Sequence, residues 1–130
     1  MKERLLQRRE EYFNAVQRLK EGLQEKENEI VIDGILHRFE FTFELAWKTI
    51  KDCLEYQGIV ENIGSPREIL KLGFKHQIID NGDLWIQMML DRNQLSHIYD
   101  EETSRKIYKN IKESHIKRFE ELEEKLRFYI

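Results

Sequence analysis

A single proline, Pro66, interrupts this chain. Proline and glycine are the residues that break helices most strongly, and only six glycines accompany it. A chain with so little punctuation suits long helices, and the spacing of its apolar residues says where they run. Leu5, Tyr12, Val16, Leu19 and Leu23 recur at helical intervals over about residues 3–25, with arginine and glutamate on the other faces. After a polar break at 25–29, Leu36, Phe39, Phe43, Ala46, Ile50 and Leu54 continue the pattern over about 30–57. Phe41, Leu45 and Trp47 make further faces of that segment apolar, which places it at the centre of the fold or at an oligomer interface. Gly58 is a suitable C-terminal stop.

Ser65, Pro66 and Glu68 spell a helix start: a serine cap, a proline for the first turn and a glutamate to close a capping box. A short helix to about His76 follows. Asp80, Asn81, Gly82 and Asp83 turn the chain and can cap a fourth helix over 84–97. A fifth begins after Asp100 and runs to the C-terminus, its seam formed by Ile107, Ile111, Phe119, Leu122, Leu126 and Tyr129, with His115 among them. Short connections between long helices imply antiparallel neighbours. The expected fold is all-α: a single domain over 1–130, an up-and-down bundle of four long helices plus a short one.

The 130 residues are enough to bury a core without staples, and the single cysteine, Cys53, cannot form an internal disulfide. No apolar run approaches the roughly 20 residues of a membrane span, and the charged N-terminus has no signal-peptide core. The expected location is therefore cytoplasmic, with no membrane partner. A net charge of −3 drawn from 36% charged residues argues against a broad basic surface for duplex nucleic acid, while leaving a local basic groove open.

Functional side-chain types concentrate between Asp91 and Asp100. Arg92 is permanently charged and can grip a phosphate through two parallel hydrogen bonds. His97 can move a proton near neutral pH. Together they suit RNA cleavage without a metal. The histidine would activate a ribose 2′-hydroxyl or protonate the leaving oxygen, and the arginine would stabilise charge building on phosphorus. On an ideal helix the two lie about 140° apart, so they converge only at a helix end or in a groove completed by a second copy. Asn93 shares a stripe with His97, and Arg92 lies in line with Ser96 and Tyr99. The plainer alternative is that Arg92 pairs with a nearby carboxylate while His97 and Tyr99 finish a helix.

Other candidates read more simply as structure. Glu40 and Glu44 share a helical face, but no second pair completes a di-metal site, and no metal or cofactor is expected. His37 and His76 suit surface or packing roles, His115 suits a satisfied core histidine, and Cys53 a small buried apolar group. Phe39, Phe41, Phe43 and Trp47 could stack a base, although their spacing favours core or interface.

Three blocks in order, Arg38 to Lys48, Ser65 to Glu68 and Asp91 to Glu101, resemble the nucleotidyltransferase substrate-binding proteins, a branch of the HEPN superfamily. The resemblance covers roughly residues 5–127. It implies an antiparallel helical bundle that forms a homodimer and pairs with a small, separate nucleotidyltransferase carrying the catalytic carboxylates and metal. This chain has no such carboxylate signature of its own. In one view of the family the helical protein supplies the binding half of a two-part enzyme for a nucleotide or RNA substrate. In the other the pair is a toxin–antitoxin system: a metal-independent HEPN ribonuclease silenced when its partner attaches AMP to a tyrosine. The ribonuclease signature is an arginine, a short spacer and a histidine, which Arg92 and His97 match, with Asn93 following the arginine as in many members. Tyr99 matches the position of the modified tyrosine. The resemblance thus implies Arg92 and His97 as catalytic residues, Arg92, Asn93, His97 and Tyr99 as substrate-binding residues, and Tyr99 as AMP acceptor.

Overall fold

The computed structural model describes residues 2–59, 64–97 and 99–129. They form α1 (Lys2–Leu23), α2 (Glu29–Tyr56), α3 (Pro66–Lys75), α4 (Gly82–Gln94) and α5 (Glu101–Asn110), then a π-helical turn (Ile111–His115) leading without a break into α6 (Ile116–Arg127). The all-α bundle expected from the apolar spacing is what the chain builds, with α3 as the short helix. No described helix is long and apolar enough to cross a membrane.

The ends follow from local chemistry. Asn28 accepts a 2.9 Å hydrogen bond from the Val31 amide to cap α2, and Ser65 does the same for the Glu68 amide at 3.4 Å with Pro66 opening α3. Gly58 leaves α2 with φ +74°, a conformation that glycine adopts at no steric cost. The start of α4 departs from expectation. Asn81 sits at its N-cap in the left-handed region and makes no side-chain cap bond, so the turn is as anticipated but the carboxamide does not cap. The helix also ends sooner, at Gln94, which leaves Ser96 and His97 in the turn beyond it.

Helix α2 is the hub, packing against α1, α3, α4 and α5, while α6 returns along α1. Cross-links fix the directions. Arg38 reaches the Arg18 carbonyl, Thr42 the Ala15 carbonyl, and Asp52 approaches Arg8, so rising numbers on α2 meet falling numbers on α1. Lys20 with Glu120, and Arg9 with the Leu126 carbonyl, show that α6 is antiparallel to α1 as well.

Phe119 of α6 is where the helices meet. Its ring lies 6.3 Å from Tyr12 of α1, 6.0 Å from Phe39 of α2 and 5.9 Å from Trp85 of α4, all fully buried or nearly so. The Tyr12 hydroxyl donates to the Phe119 carbonyl at 2.7 Å, which satisfies that buried phenol. Truncating such an aromatic to alanine costs about 3–5 kcal/mol.

The π-turn has a cause in the seam itself. Ile107, Ile111, His115 and Phe119 are all buried and each is four residues from the next. An α-helix advances about 100° per residue, so three such steps overshoot three turns by about 120°. One extra residue taken into a wide turn removes most of that drift and keeps the seam facing the core.

Candidate functional site

The segment from Asp91 to Asp100 runs from the last turn of α4 to the cap of α5. Leu95 is buried and its amide bonds back to Asp91 and Arg92, which pins the helix end. At the other end the Asp100 carboxylate accepts from the Thr103 amide at 2.8 Å. That bond, with a second from the Thr103 hydroxyl, lowers the Asp100 pKa below the usual carboxylate value. Both ends of the turn are thus anchored by the helices they belong to. Ile98 lies outside the described residues.

Arg92 is partly buried and points to α2. One terminal nitrogen is 2.8 Å from Glu44 Oε1, the other donates to Ser96 Oγ at 3.3 Å, and Nε is buried without a partner. Glu44 is shared further, for Trp47 Nε1 donates to its Oε2 at 3.1 Å and Lys48 Nζ stands 4.0 Å away. The carboxylate that shares a helical face with Glu40 is therefore engaged by an arginine, an indole and a lysine. Arg92 and Ser96 meet as their spacing suggests.

His97 and Asn93 are exposed, and so is Tyr99 at 38%. Among the described residues, no hydrogen bond joins His97 or Tyr99 to Arg92. Tyr99 lines a hollow of about 230 Å³ with Ile32 and Asp33 of α2 and Ser104 and Arg105 of α5. The turn therefore offers an imidazole, a carboxamide and a phenol to solvent, while the Arg92 guanidinium is held against Glu44 and Ser96.

Beneath the turn is a network that sequence reasoning missed. Asp91 is buried, with Oδ2 2.7 Å from His115 Nε2 and 3.0 Å from Asn110 Nδ2, while Gln87 Nε2 reaches Oδ1 at 3.4 Å. Burial alone would raise the Asp91 pKa, but the hydrogen bonds from His115, Asn110 and Gln87 and the nearby His115 charge outweigh it and hold the group low. The His115 ring stacks on Phe39 at 5.4 Å and 16°, and its Nδ1 is buried without a partner. His115 is a core residue as its spacing indicates, yet only half satisfied. A signal was present: Asp91 follows Trp85 and Met88 at three-residue steps on the buried face of α4, and His115 interrupts an apolar seam. Two polar residues on two buried stripes need partners, and each supplies the other.

The other predicted positions are simply placed. His37 is exposed, His76 ends α3 and is exposed, and Cys53 is fully buried, its thiol pushed up to about 12 chiefly by that burial. Phe39 and Phe43 are core, whereas Phe41 and Trp47 are half-buried.

Comparison with known proteins bears on this site. Residues 7–128 match the family model described as "Nucleotidyltransferase substrate binding protein like". Over 84 residues the chain is 31% identical to a Haemophilus influenzae protein named "Probable ribonuclease HepT". That stretch is 62% of this chain and 58% of the relative, so the chain spans less than two thirds of the relative's length. A crystal structure of a protein from Thermus thermophilus superposes with a TM-score of 0.80 at 25% identity, covering 89% of this chain and 98% of that one.

Proposed function

The chain belongs to the nucleotidyltransferase substrate-binding family, and from that premise we propose that it is the helical partner of a small nucleotidyltransferase, in a toxin–antitoxin-like pair. The observation that carries this reading is the turn after α4. Arg92 is anchored by Glu44 and Ser96, and within a few residues the Tyr99 side chain stands open to solvent. A phenol held on the surface between two helix ends, at a hollow that Arg105 also lines, suits an acceptor for a nucleotidyl group. The transferase would bring nucleotide and metal, and the tyrosine oxygen would displace pyrophosphate from ATP to leave AMP on the ring. Purified chain, cognate small nucleotidyltransferase and ATP should form a complex and add one AMP mass, absent in Tyr99→Phe. Two chains that neither associate nor transfer the nucleotide would sink the proposal.

A second reading, compatible with the first, is metal-independent cleavage of RNA. It draws on the exposed His97, five residues after the half-buried, Glu44-held Arg92, and on the name of the Haemophilus relative. In that chemistry a ribose 2′-oxygen attacks phosphorus, the 5′-oxygen leaves, and a 2′,3′-cyclic phosphate forms. His97 carries the proton of one of these oxygens and Arg92 faces the charge on phosphorus. A homodimer bringing two such turns together would supply the second proton carrier. RNA incubated in excess chelator should be cut by the wild type and not by His97→Ala. Because His97 is exposed, that variant should keep its melting temperature. Equal cutting by both proteins would dismiss the reading.

A further inference from the structure

The fold leaves unexplained a set of cations on the other side of Glu44. Arg4 and Arg8 lie one turn apart on α1, with Gln7 beside them, and Lys48 faces them from α2. With Leu45 and Glu11 they line a groove of about 420 Å³. Like charges four residues apart on a helix repel, a cost that attraction to the Asp52 carboxylate offsets only in part. Asp52 answers Arg8 in part: its buried Oδ2 lies 3.5 Å from Arg8 Nε but accepts no hydrogen bond. Arg4 is exposed and, among the described residues, makes no ion pair. Lys48 has a long 4.0 Å approach to a Glu44 carboxylate that Arg92 and Trp47 already occupy, and its ammonium lies 5.9 Å from the Trp47 ring centroid. Glu11 is the one acidic side chain lining the groove.

We propose that this α1–α2 groove binds backbone phosphates of single-stranded RNA, extending the strand path away from Arg92. The inference rests on the ribonuclease reading and adds to it a second site. Continuity comes through Glu44, which touches both Arg92 and Lys48 and so sets the groove against the turn after α4. Two guanidinium groups with planar forks, a lysine and an amide side chain are donors suited to phosphate oxygens. The half-buried Leu45 gives a sugar or base an apolar floor. The donors are mainly cationic and the floor is apolar, so binding is expected to depend more on salt than on sequence.

The test uses full-length chain carrying His97→Ala, so that RNA stays intact, and a fluorescein-labelled single-stranded oligouridylate read by anisotropy over a salt series. Adding Arg4→Ala and Lys48→Ala should weaken binding roughly tenfold and lower the salt slope by about 1.4, the value for two phosphate contacts on a single strand. Lys109→Ala with Lys117→Ala, the same loss of charge on exposed positions of α5 and α6, should leave both quantities nearly unchanged. Arg4→Ala alone, at an exposed position, guards against a folding defect in the double variant and should lose about half of the slope change. Equal binding by groove and control variants would overturn the groove while leaving RNA cleavage by the His97 wild type intact. An oligomer that fails to bind at all would remove both readings together. If free AMP at matching phosphate concentration displaces the oligomer, the groove is a mononucleotide site and the proposal fails.

Discussion

Asp91 and His115 meet at 2.7 Å in the interior although 24 residues separate them in the chain. Asp91 immediately precedes Arg92, so the pair ties the root of the candidate site to the π-turn. Removing His115 would leave a buried carboxylate with only Asn110 and Gln87. His115→Ala is expected to cost about 3–5 kcal/mol, the usual penalty for breaking a buried pair from one side. Asp91→Asn, which keeps shape and removes charge, should cost less. The pH dependence has a definite sign. The folded Asp91 pKa is lowered, so its contribution is complete above the unfolded value of about 3.9 and is lost as pH falls through the folded value. Urea unfolding of wild type and Asp91→Asn should therefore differ most near pH 6 and converge towards pH 3. A gap that stayed constant would show that the pair contributes no such stability.

Asp52 behaves in the opposite sense. Burial raises its pKa, and Arg8 first, then Arg4 and Lys51, lower it again only in part. An acid with a raised folded pKa supports folding below its unfolded value and loses that support as pH rises through the folded one. Asp52→Asn should then be neutral or stabilising by up to about 1 kcal/mol at pH 7, and the advantage should vanish near pH 4. Thermal melts at the two pH values check this. A large loss at pH 7 would mean that the Arg8 contact outweighs the cost of burying the charge.

Much of this molecule can be read from its residues, and the parts that cannot share a physical reason. Leu5 to Leu19 on α1 and Leu36 to Leu54 on α2 are buried where apolar periodicity places them, because burial of a stripe is a local consequence of its spacing. Ser65 and Gly58 act as anticipated because caps and stops are local too. The link from Arg92 to Glu44, and that from Asp91 to His115, join residues on different helices, and no single segment records which helices will touch. Glu44 invites a metal reading through its neighbour Glu40, when its partner lies on another helix. The π-turn is hidden differently. It is written in the run of four-residue steps from Ile107 to Phe119, a pattern that passes for an ordinary helix unless its drift is added up.

Gly73 of α3 lies close against α2. A Cβ there would stand 2.8 Å from Ile50 Cγ2, a fully buried atom in the hub helix. Alanine normally favours a helix interior over glycine by roughly 1 kcal/mol, but here it must push α3 outward or force Ile50 off its rotamer. Gly73→Ala should therefore destabilise by about 1–3 kcal/mol. Adding Ile50→Ala, which removes the opposing Cγ2, should cost less in the Gly73→Ala background than in the wild type. Additive effects of the two substitutions in a denaturation series would mean that the contact is not what keeps this position small.

Glu44 both orients Arg92 and competes for it. At 2.8 Å the carboxylate holds one terminal nitrogen of the guanidinium that a phosphate would need, while Ser96 takes the other at 3.3 Å. The pair is partly exposed, so Glu44→Gln should change stability by no more than about 1 kcal/mol. On the ribonuclease reading, its effect on RNA should split. A guanidinium freed of its counter-charge binds phosphate more readily, lowering KM, but loses the restraint that aims it, lowering kcat. Arg92→Lys cannot reproduce the fork that spans Glu44 and Ser96, and it should lose cleavage nearly as fully as Arg92→Ala. Steady-state kinetics on one RNA, with melting temperatures of the same preparations, distinguishes the roles. If Glu44→Gln shifts only the melting temperature and Arg92→Lys retains full turnover, the pair is a structural clasp between α2 and α4, and the charge facing phosphorus must come from elsewhere.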